Sequence, residues 1–395
     1  MAVEKKTMFS LRASFFTLSL ALSVFAPRIP QLKDRLHISV PTLGLVFMIT
    51  GLAGAVTSKL VAKIIARLTS RRSLIFAIPV MMSGSLLIAL SHRIPFFVCG
   101  LVLLSFGGFL INTAVNTQSN NLRATTGNNQ LNNLSAISNL GSLFAMIMGS
   151  LLLKAFTATQ YIIGLQVIAC SIFLYSYRNL IPTDVIGGQG EKAKSKFPWF
   201  KRDPDIIQFW IIVVALFAST TAEFSVSDWG AVLSRDSYAV KAPFYLVPFI
   251  VFQSGIVLSR FMTTRFSDRH GEVAFVRYTA IGAALIWGSS IQIAAHMNHS
   301  NQALTLTVLI IGFFAAGCGV GPVWPTMLTS ASKSHYPTPV VLARLFSFVS
   351  LAFVFGPGII GFVSKITSLS NALMIPVTSL VIVGIFARRS LEHHE

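Results

Sequence analysis

The sequence predicts an all-α membrane protein in which twelve transmembrane helices form two pseudo-symmetric six-helix bundles. Three observations support this prediction: a low content of charged residues, apolar runs that recur along the chain, and a basic loop that occurs twice. Of the 395 residues, 53% are hydrophobic and 11% are charged, and the mean hydropathy is +0.70. Soluble domains carry about 25% charged residues. The composition therefore indicates a chain that folds in lipid.

Each apolar run is long enough for a transmembrane helix, which needs about 20 mostly apolar residues. The predicted spans are 9–27, 41–62, 73–91, 95–117, 134–155, 160–177, 206–227, 242–262, 274–294, 303–325, 341–363 and 370–387. They divide into an N-terminal bundle over 1–178 and a C-terminal bundle over 206–395. The segment 179–205 between them is the longest polar stretch and contains three glycines and four lysines, which predicts a solvated cytoplasmic linker.

The net charge of +18 does not indicate nucleic-acid binding, because the basic residues lie at the ends of apolar runs rather than on one face. Their excess in alternate loops places both termini in the cytoplasm. The three cysteines, Cys99, Cys170 and Cys318, lie within apolar runs without metal-ligand spacing. We expect no metal, no cofactor and no enzymatic activity, since catalytic motifs are missing from the spans.

The two halves of the sequence look like repeats. A basic loop, Lys63–Arg72, follows the second span, and a similar loop, Arg260–Arg277, follows the eighth. Arg67 and Arg269 are 202 positions apart (269 − 67). Such repeats are typical of transporters that bind solute near the bilayer midplane.

The loop Thr264–Gly271 resembles the signature loop of the major facilitator superfamily. This resemblance implies that Arg265, Asp268 and Arg269 form an inner gate that helps to hold the inward-closed state. The first-half copy is degraded: Ala66 replaces the usual aspartate and Thr69 a usual glycine.

Further motifs resemble the rhizopine-permease-like (MosC-like) branch of bacterial inner-membrane permeases. They are Arg28-Ile-Pro30, Asn112–Gln118, Glu223 with Asp228-Trp229, and Gly356-Pro357 with Ile360-Gly361. Three positions depart from the branch: Asn112 replaces aspartate, Arg123 replaces glutamate and Ser135 replaces histidine. The resemblance implies a multi-pass protein of the bacterial inner membrane that transports a polar solute, with coupling chemistry that differs from that of its relatives or is lost.

Glu223 is the acidic residue that lies well within a predicted span. An ionisable group at a helix centre costs about 2.5–3.5 kcal/mol on insertion scales, so its presence calls for a reason. A carboxyl group in a low-dielectric cavity can exchange a proton near neutral pH, which suits proton coupling or solute binding. A structural hydrogen bond to a neighbouring helix, or a wet position at the interface, remain alternatives.

Arg28 and Asp228 end the first and seventh predicted spans at comparable depth. We expect them to form an ion pair that closes an outer gate in the inward-facing state, since a small difference in free energy suffices to favour one of two conformations. Two independent interfacial charges are the alternative.

Four residues are candidates for solute binding: Asn112, Asn116, Gln253 and Trp324. Asn112 and Asn116 share a helix face at i, i+4 spacing. Trp324 lies among Gly319, Gly321, Pro322 and Pro325, which predict an irregular helix of the kind that lines transporter cavities. Packing between helices is the alternative for all four residues.

The leading functional prediction is a permease that moves a small polar solute, sugar- or inositol-like, by alternating access. Proton symport or antiport through Glu223 would drive it. The expected partners are a small-molecule substrate, protons and membrane lipid, with the protein acting as a monomer. An exporter of lipophilic or drug-like compounds, suited by the 32 phenylalanines, and a non-transporting sensor on a transporter fold remain open.

Overall fold

The computed structural model describes residues 2–126, 131–182, 204–297, 301–331, 336 and 338–389. Within these ranges every regular element is a helix. The helices up to the predicted linker are α1 Ala2–Ser23, α2 Ile29–Arg35, α3 Val40–Leu68, α4 Ser70–Leu90, α5 Ile94–Thr126, α6 Leu131–Leu151 and α7 Ala158–Tyr177. A 3₁₀ turn, Ala26–Arg28, joins α1 to α2. Pro27 and Pro30 explain this interruption, because proline lacks the N–H that an α-helix requires.

The later helices are α8 Pro204–Val232, α9 Val247–His270, α10 Glu272–His296, α11 Gln302–Val320, α12 Val323–Ala331, α13 Thr338–Val349, α14 Leu351–Ile366, α15 Leu369–Ala372 and α16 Met374–Arg389. The irregular helix predicted around Trp324 is confirmed, since α11 ends before Gly321 and α12 begins after Pro322. The span predicted over 341–363 coincides with the membrane-length segment Arg344–Ile366, in which a turn at Ser350 separates α13 from α14.

Ten segments of the described chain are long and apolar enough to cross a membrane. Two shorter apolar helices, Val40–Gly54 and Ala136–Leu151, lie where the sequence predicts the second and fifth spans. An all-helical, multi-pass membrane chain is therefore confirmed. The count of twelve spans stays a prediction.

The chain forms two compact units. The first unit comprises Met1–Ile38 with Leu52–Lys192, and the second comprises Ser39–Gly51 with Ala193–Glu395. In the first unit α1 packs against α5, α6 and α7, and α4 packs against α5 and α7. In the second unit α8 packs against α12, α13, α14 and α16, while α11 packs against α9 and α10.

The most deeply buried of the membrane-length segments is Pro204–Ser237, which contains α8. Its apolar side chains, among them Phe209, Ile212 and Leu216, form the core of the second unit with residues of α12, α13 and α16. The core-facing side of this helix is therefore shielded from bulk water by the packing of the unit.

Small residues bring α9 and α11 together at backbone distance. A Cβ atom added at Gly317 would collide with the carbonyl group of Phe252, and one added at Gly255 with the carbonyl oxygen of Phe314. Glycine at helix crossings in membranes allows this close approach. The crossing fixes the position of α9 relative to the helix break at Gly321.

Candidate functional site

Glu223 lies on α8 with its side chain half-buried. Ser227 donates a hydrogen bond to its backbone carbonyl at 3.2 Å, but no described residue donates to its carboxylate. The guanidinium of Arg260 on α9 interacts with it electrostatically without a direct hydrogen bond. The structure therefore places a carboxylate and a guanidinium near one another in membrane-length segments of the same unit.

Arg260 is held by the helix break between α11 and α12. Its Nε–H donates to the carbonyl oxygen of Gly321 at 3.0 Å. In a continuous helix that carbonyl would accept from residue 325, but Pro325 has no N–H to give. A Cβ atom at Gly321 would also collide with Ile256 and Ser259 of α9. The glycine and the proline together create the acceptor that orients the guanidinium.

Arg260 is not among the site residues predicted from the sequence, because it falls at the start of a basic loop. A signal was nevertheless present: an arginine inside a membrane-length segment needs a partner. The only hint of that partner was the Gly321-Pro322 break, which lies 61 residues away.

Gln253 and Trp324 lie in the same unit. Gln253 is 6% exposed, its amide has no hydrogen-bond partner among the described residues, and it shares a helix face with Arg260, seven residues on. The indole of Trp324 stacks on Phe346, with ring centroids 5.9 Å apart and an interplanar angle of 20°. One face of this indole is thus covered by the protein itself.

Asn112 and Asn116 lie on α5 of the first unit, and their side chains do share a face. The Nδ2 of Asn116 donates to both the side-chain and the backbone oxygen of Asn112, each at 2.8 Å. Asn112 is exposed and Asn116 half-buried. Their role in solute binding stays a prediction.

Arg28 is fully buried inside the first unit. Its terminal nitrogens donate to the carbonyls of Leu152 at 3.1 Å and Leu153 at 3.4 Å, and its guanidinium lies 4.5 Å from the ring centroid of Tyr161. Asp228 belongs to the second unit, where it is half-buried and no described residue donates a hydrogen bond to it. The outer gate between Arg28 and Asp228 stays a prediction.

The residues predicted to form the inner gate, Arg265, Asp268 and Arg269, belong to the last turns of α9, but their side chains lie outside the described part of the structure and the gate stays a prediction. The backbone after this helix is described. Gly271 has a φ of 78° and precedes α10. Thr69, which lies 202 positions earlier, has a φ of 68° and precedes α4. The two loops therefore share the left-handed conformation that glycine adopts most easily.

The described part of the chain is all-helical, with ten segments of membrane length and two compact units, as is typical of polytopic membrane transport proteins. The chain is a member of the Major Facilitator Superfamily, whose family model matches residues 12–339. The resemblance to the superfamily is thus confirmed, while the MosC-like branch stays a prediction.

A curated relative covers nearly the whole chain. It is an uncharacterized MFS-type transporter of Yersinia pestis, 23% identical over 384 residues that span 96% of this chain and 94% of that protein. Crystal structures of other transporters share the fold. A mutant of the nucleoside transporter NupG superposes with a TM-score of 0.72 at 12% identity, covering 99% of this chain and 100% of that one.

A bacterial homolog of the human lysosomal transporter Spinster, in its inward-facing and unoccupied conformation, superposes with a TM-score of 0.75 at 12% identity. The superposition covers 99% of this chain and 97% of that one. At this level of identity the comparison establishes the fold, and the chemistry has to be argued from the residues of this chain.

Proposed function

We propose that this protein is a secondary active transporter that moves a small polar solute, sugar- or inositol-like, by alternating access with proton coupling through Glu223. It works as a monomer in the bacterial inner membrane, with both termini in the cytoplasm. Its bundles, 1–178 and 206–395, are joined by the linker 179–205. The branch resemblance supports the solute class.

One observation carries the coupling proposal. The carboxylate of Glu223 has no hydrogen-bond donor among the described residues, yet it lies on the most buried membrane-length segment within the field of Arg260. A carboxylate used only for packing would be expected to have a hydrogen-bond partner. A carboxylate that accepts and releases a proton must remain accessible to one.

Proteoliposome assays of wild type and Glu223→Gln test the coupling. A screen by thermal stabilisation over polyols, sugars and nucleosides first supplies the labelled solute. Wild type should then accumulate the solute when a pH gradient is imposed. Glu223→Gln should lose this accumulation and retain solute exchange across the membrane, because the amide cannot carry a proton.

Accumulation by Glu223→Gln at the wild-type level would refute the coupling role. A protein that binds solute but shows no flux of any kind would favour the sensor alternative. Resistance of cells to toxic lipophilic cations, with no uptake of polar solutes, would favour the exporter.

A further inference from the structure

We propose that Arg260 binds a carboxylate group of the transported solute, and that Glu223 competes for the same guanidinium when the solute is absent. The solute would then be a polyhydroxy monocarboxylate, such as a sugar acid, rather than a neutral polyol. This inference rests on the proposed transport function and narrows its substrate class.

The geometry of Arg260 leaves one edge of the guanidinium for a ligand. Its Nε–H is used by the carbonyl of Gly321 at 3.0 Å. No described residue accepts a hydrogen bond from its two terminal nitrogens. These nitrogens form the fork that pairs with both oxygens of a carboxylate. The bond to Gly321 fixes the direction of the fork, so that little side-chain entropy would be lost when the ligand binds.

The charge balance favours a monocarboxylate. Among the described residues, the cationic side chains of the helices that pack against α8 are Arg260, Arg344 on α13 and Lys365 on α14, besides Arg235, which is already paired with Asp236 at 2.6 Å. Arg260 is the one that acts electrostatically on Glu223. One guanidinium balances one carboxylate, whereas a phosphate dianion would need further positive charge in this low-dielectric surrounding. Asp228, five residues beyond Glu223 on the same helix, is acidic and therefore cannot help to balance a dianion.

The charge balance at Arg260 also couples binding of the solute to protonation of Glu223. Without solute, ionised Glu223 neutralises Arg260. A bound carboxylate takes over that role once Glu223 has accepted a proton, so that the site stays neutral throughout. Transport of one carboxylate with one proton would therefore be electroneutral.

A second polar group lies where a hydroxyl of the same solute could reach it. Gln253 is two helical turns from Arg260, about 10 Å along the axis, and its amide has no described partner. The distance suits a solute of sugar-acid size with an anionic end at Arg260 and hydroxyls towards Gln253.

The test uses the purified full-length protein with glucuronate and glucose as matched probes. Binding of each probe is measured by thermal stabilisation and by equilibrium binding. Wild type should bind glucuronate and not glucose, and more tightly in acidic than in mildly alkaline buffer. Arg260→Lys should weaken glucuronate binding about ten- to a hundredfold, since the bidentate hydrogen bonds are lost. The control Arg277→Lys, on α10 beside Tyr278, should leave binding unchanged.

Glu223→Gln provides an independent arm, because its binding of glucuronate should be as tight in alkaline as in acidic buffer. Equal binding of both probes, no binding of glucuronate to wild type, or wild-type affinity in Arg260→Lys would overturn the proposal. Flux measurements on Glu223→Gln distinguish a failure of the carboxylate site from a failure of proton coupling. If glucuronate binds through Arg260 while pH-driven accumulation survives the substitution, the coupling fails and the carboxylate site stands.

Discussion

The two units use the arginines of their membrane-length segments differently. In the first unit, Arg28 donates to the carbonyls of Leu152 and Leu153, and Arg35 donates to that of Ala89 at 2.8 Å. In the second unit, the Nε–H of Arg260 donates to Gly321, its terminal nitrogens donate to no described residue, and the guanidinium interacts electrostatically with Glu223. The arginines of the first unit thus bind backbone carbonyls, whereas we propose that Arg260 in the second unit binds solute.

The largest expected effect separates these two arginines. Arg28→Gln should destabilise the protein by about 2–4 kcal/mol, because it removes charged hydrogen bonds from a fully buried position. The melting temperature in detergent should fall by several degrees. Arg260→Gln should leave the melting temperature near that of wild type while abolishing solute binding.

The reverse pattern would break the comparison. If Arg28→Gln kept the wild-type melting temperature and lost transport, Arg28 would act in the predicted outer gate. The charge-swapped pair of Arg28→Asp with Asp228→Arg would then be expected to rescue the single variants.

The next largest effect is the loss of stability expected when either of two glycines with equivalent backbone contacts is replaced by alanine. A Cβ atom at Gly141 in the first unit would collide with the carbonyl of Phe16, and one at Gly317 in the second with that of Phe252. Alanine at either position should destabilise by about 1–3 kcal/mol through overpacking. Thermal unfolding should report both losses, but only Gly317→Ala should weaken solute binding, since it displaces the crossing that orients Arg260.

The matched control for these variants is Gly282→Ala on α10, where the added Cβ meets no atom within 4 Å. It should raise stability slightly, by about 0.5–1 kcal/mol, because alanine favours the helix. A loss of binding in Gly141→Ala equal to that in Gly317→Ala would mean that the site depends on both units alike.

The two left-handed loop positions predict opposite changes in stability. Thr69 adopts a φ of 68° with a buried hydroxyl that lacks a described partner, and a β-branched residue is strained in this region. Thr69→Gly should therefore raise the free energy of unfolding by about 1 kcal/mol, and Gly271→Thr should lower it by about 1–2 kcal/mol. Thermal unfolding of the pair checks the signs, and a destabilised Thr69→Gly would contradict the strain.

The smallest expected effect is on solute binding when the Gly321 carbonyl, which accepts the hydrogen bond of Arg260, is given another donor. Pro325→Ala supplies an N–H that can bond to the Gly321 carbonyl in place of the guanidinium. Solute binding should weaken roughly two- to threefold, the scale of one neutral hydrogen bond, with little change in melting temperature. Unchanged binding would show that Gly321 does not orient Arg260.

The placement of single residues shows where sequence reasoning reached its limit. Asn112 and Asn116 fell on one helix face as their spacing predicts, and Pro322 interrupted a helix as expected. Nothing in the sequence indicates, however, that Trp229 is fully buried with its ring against Phe47. Spacing fixes which face of a helix a residue occupies, and it does not say what that face meets.

The sequence by itself determined that this chain is helical, crosses a membrane many times and carries a carboxyl group within an apolar span. Run length, composition and the glycine and proline positions are local properties that act through desolvation and backbone geometry. The tertiary structure decided which guanidinium faces Glu223 and which carbonyl holds that guanidinium. Those contacts join α8, α9 and the break between α11 and α12. These helices are far apart in sequence, and they meet because Gly255, Gly317 and Gly321 allow a close approach of their backbones.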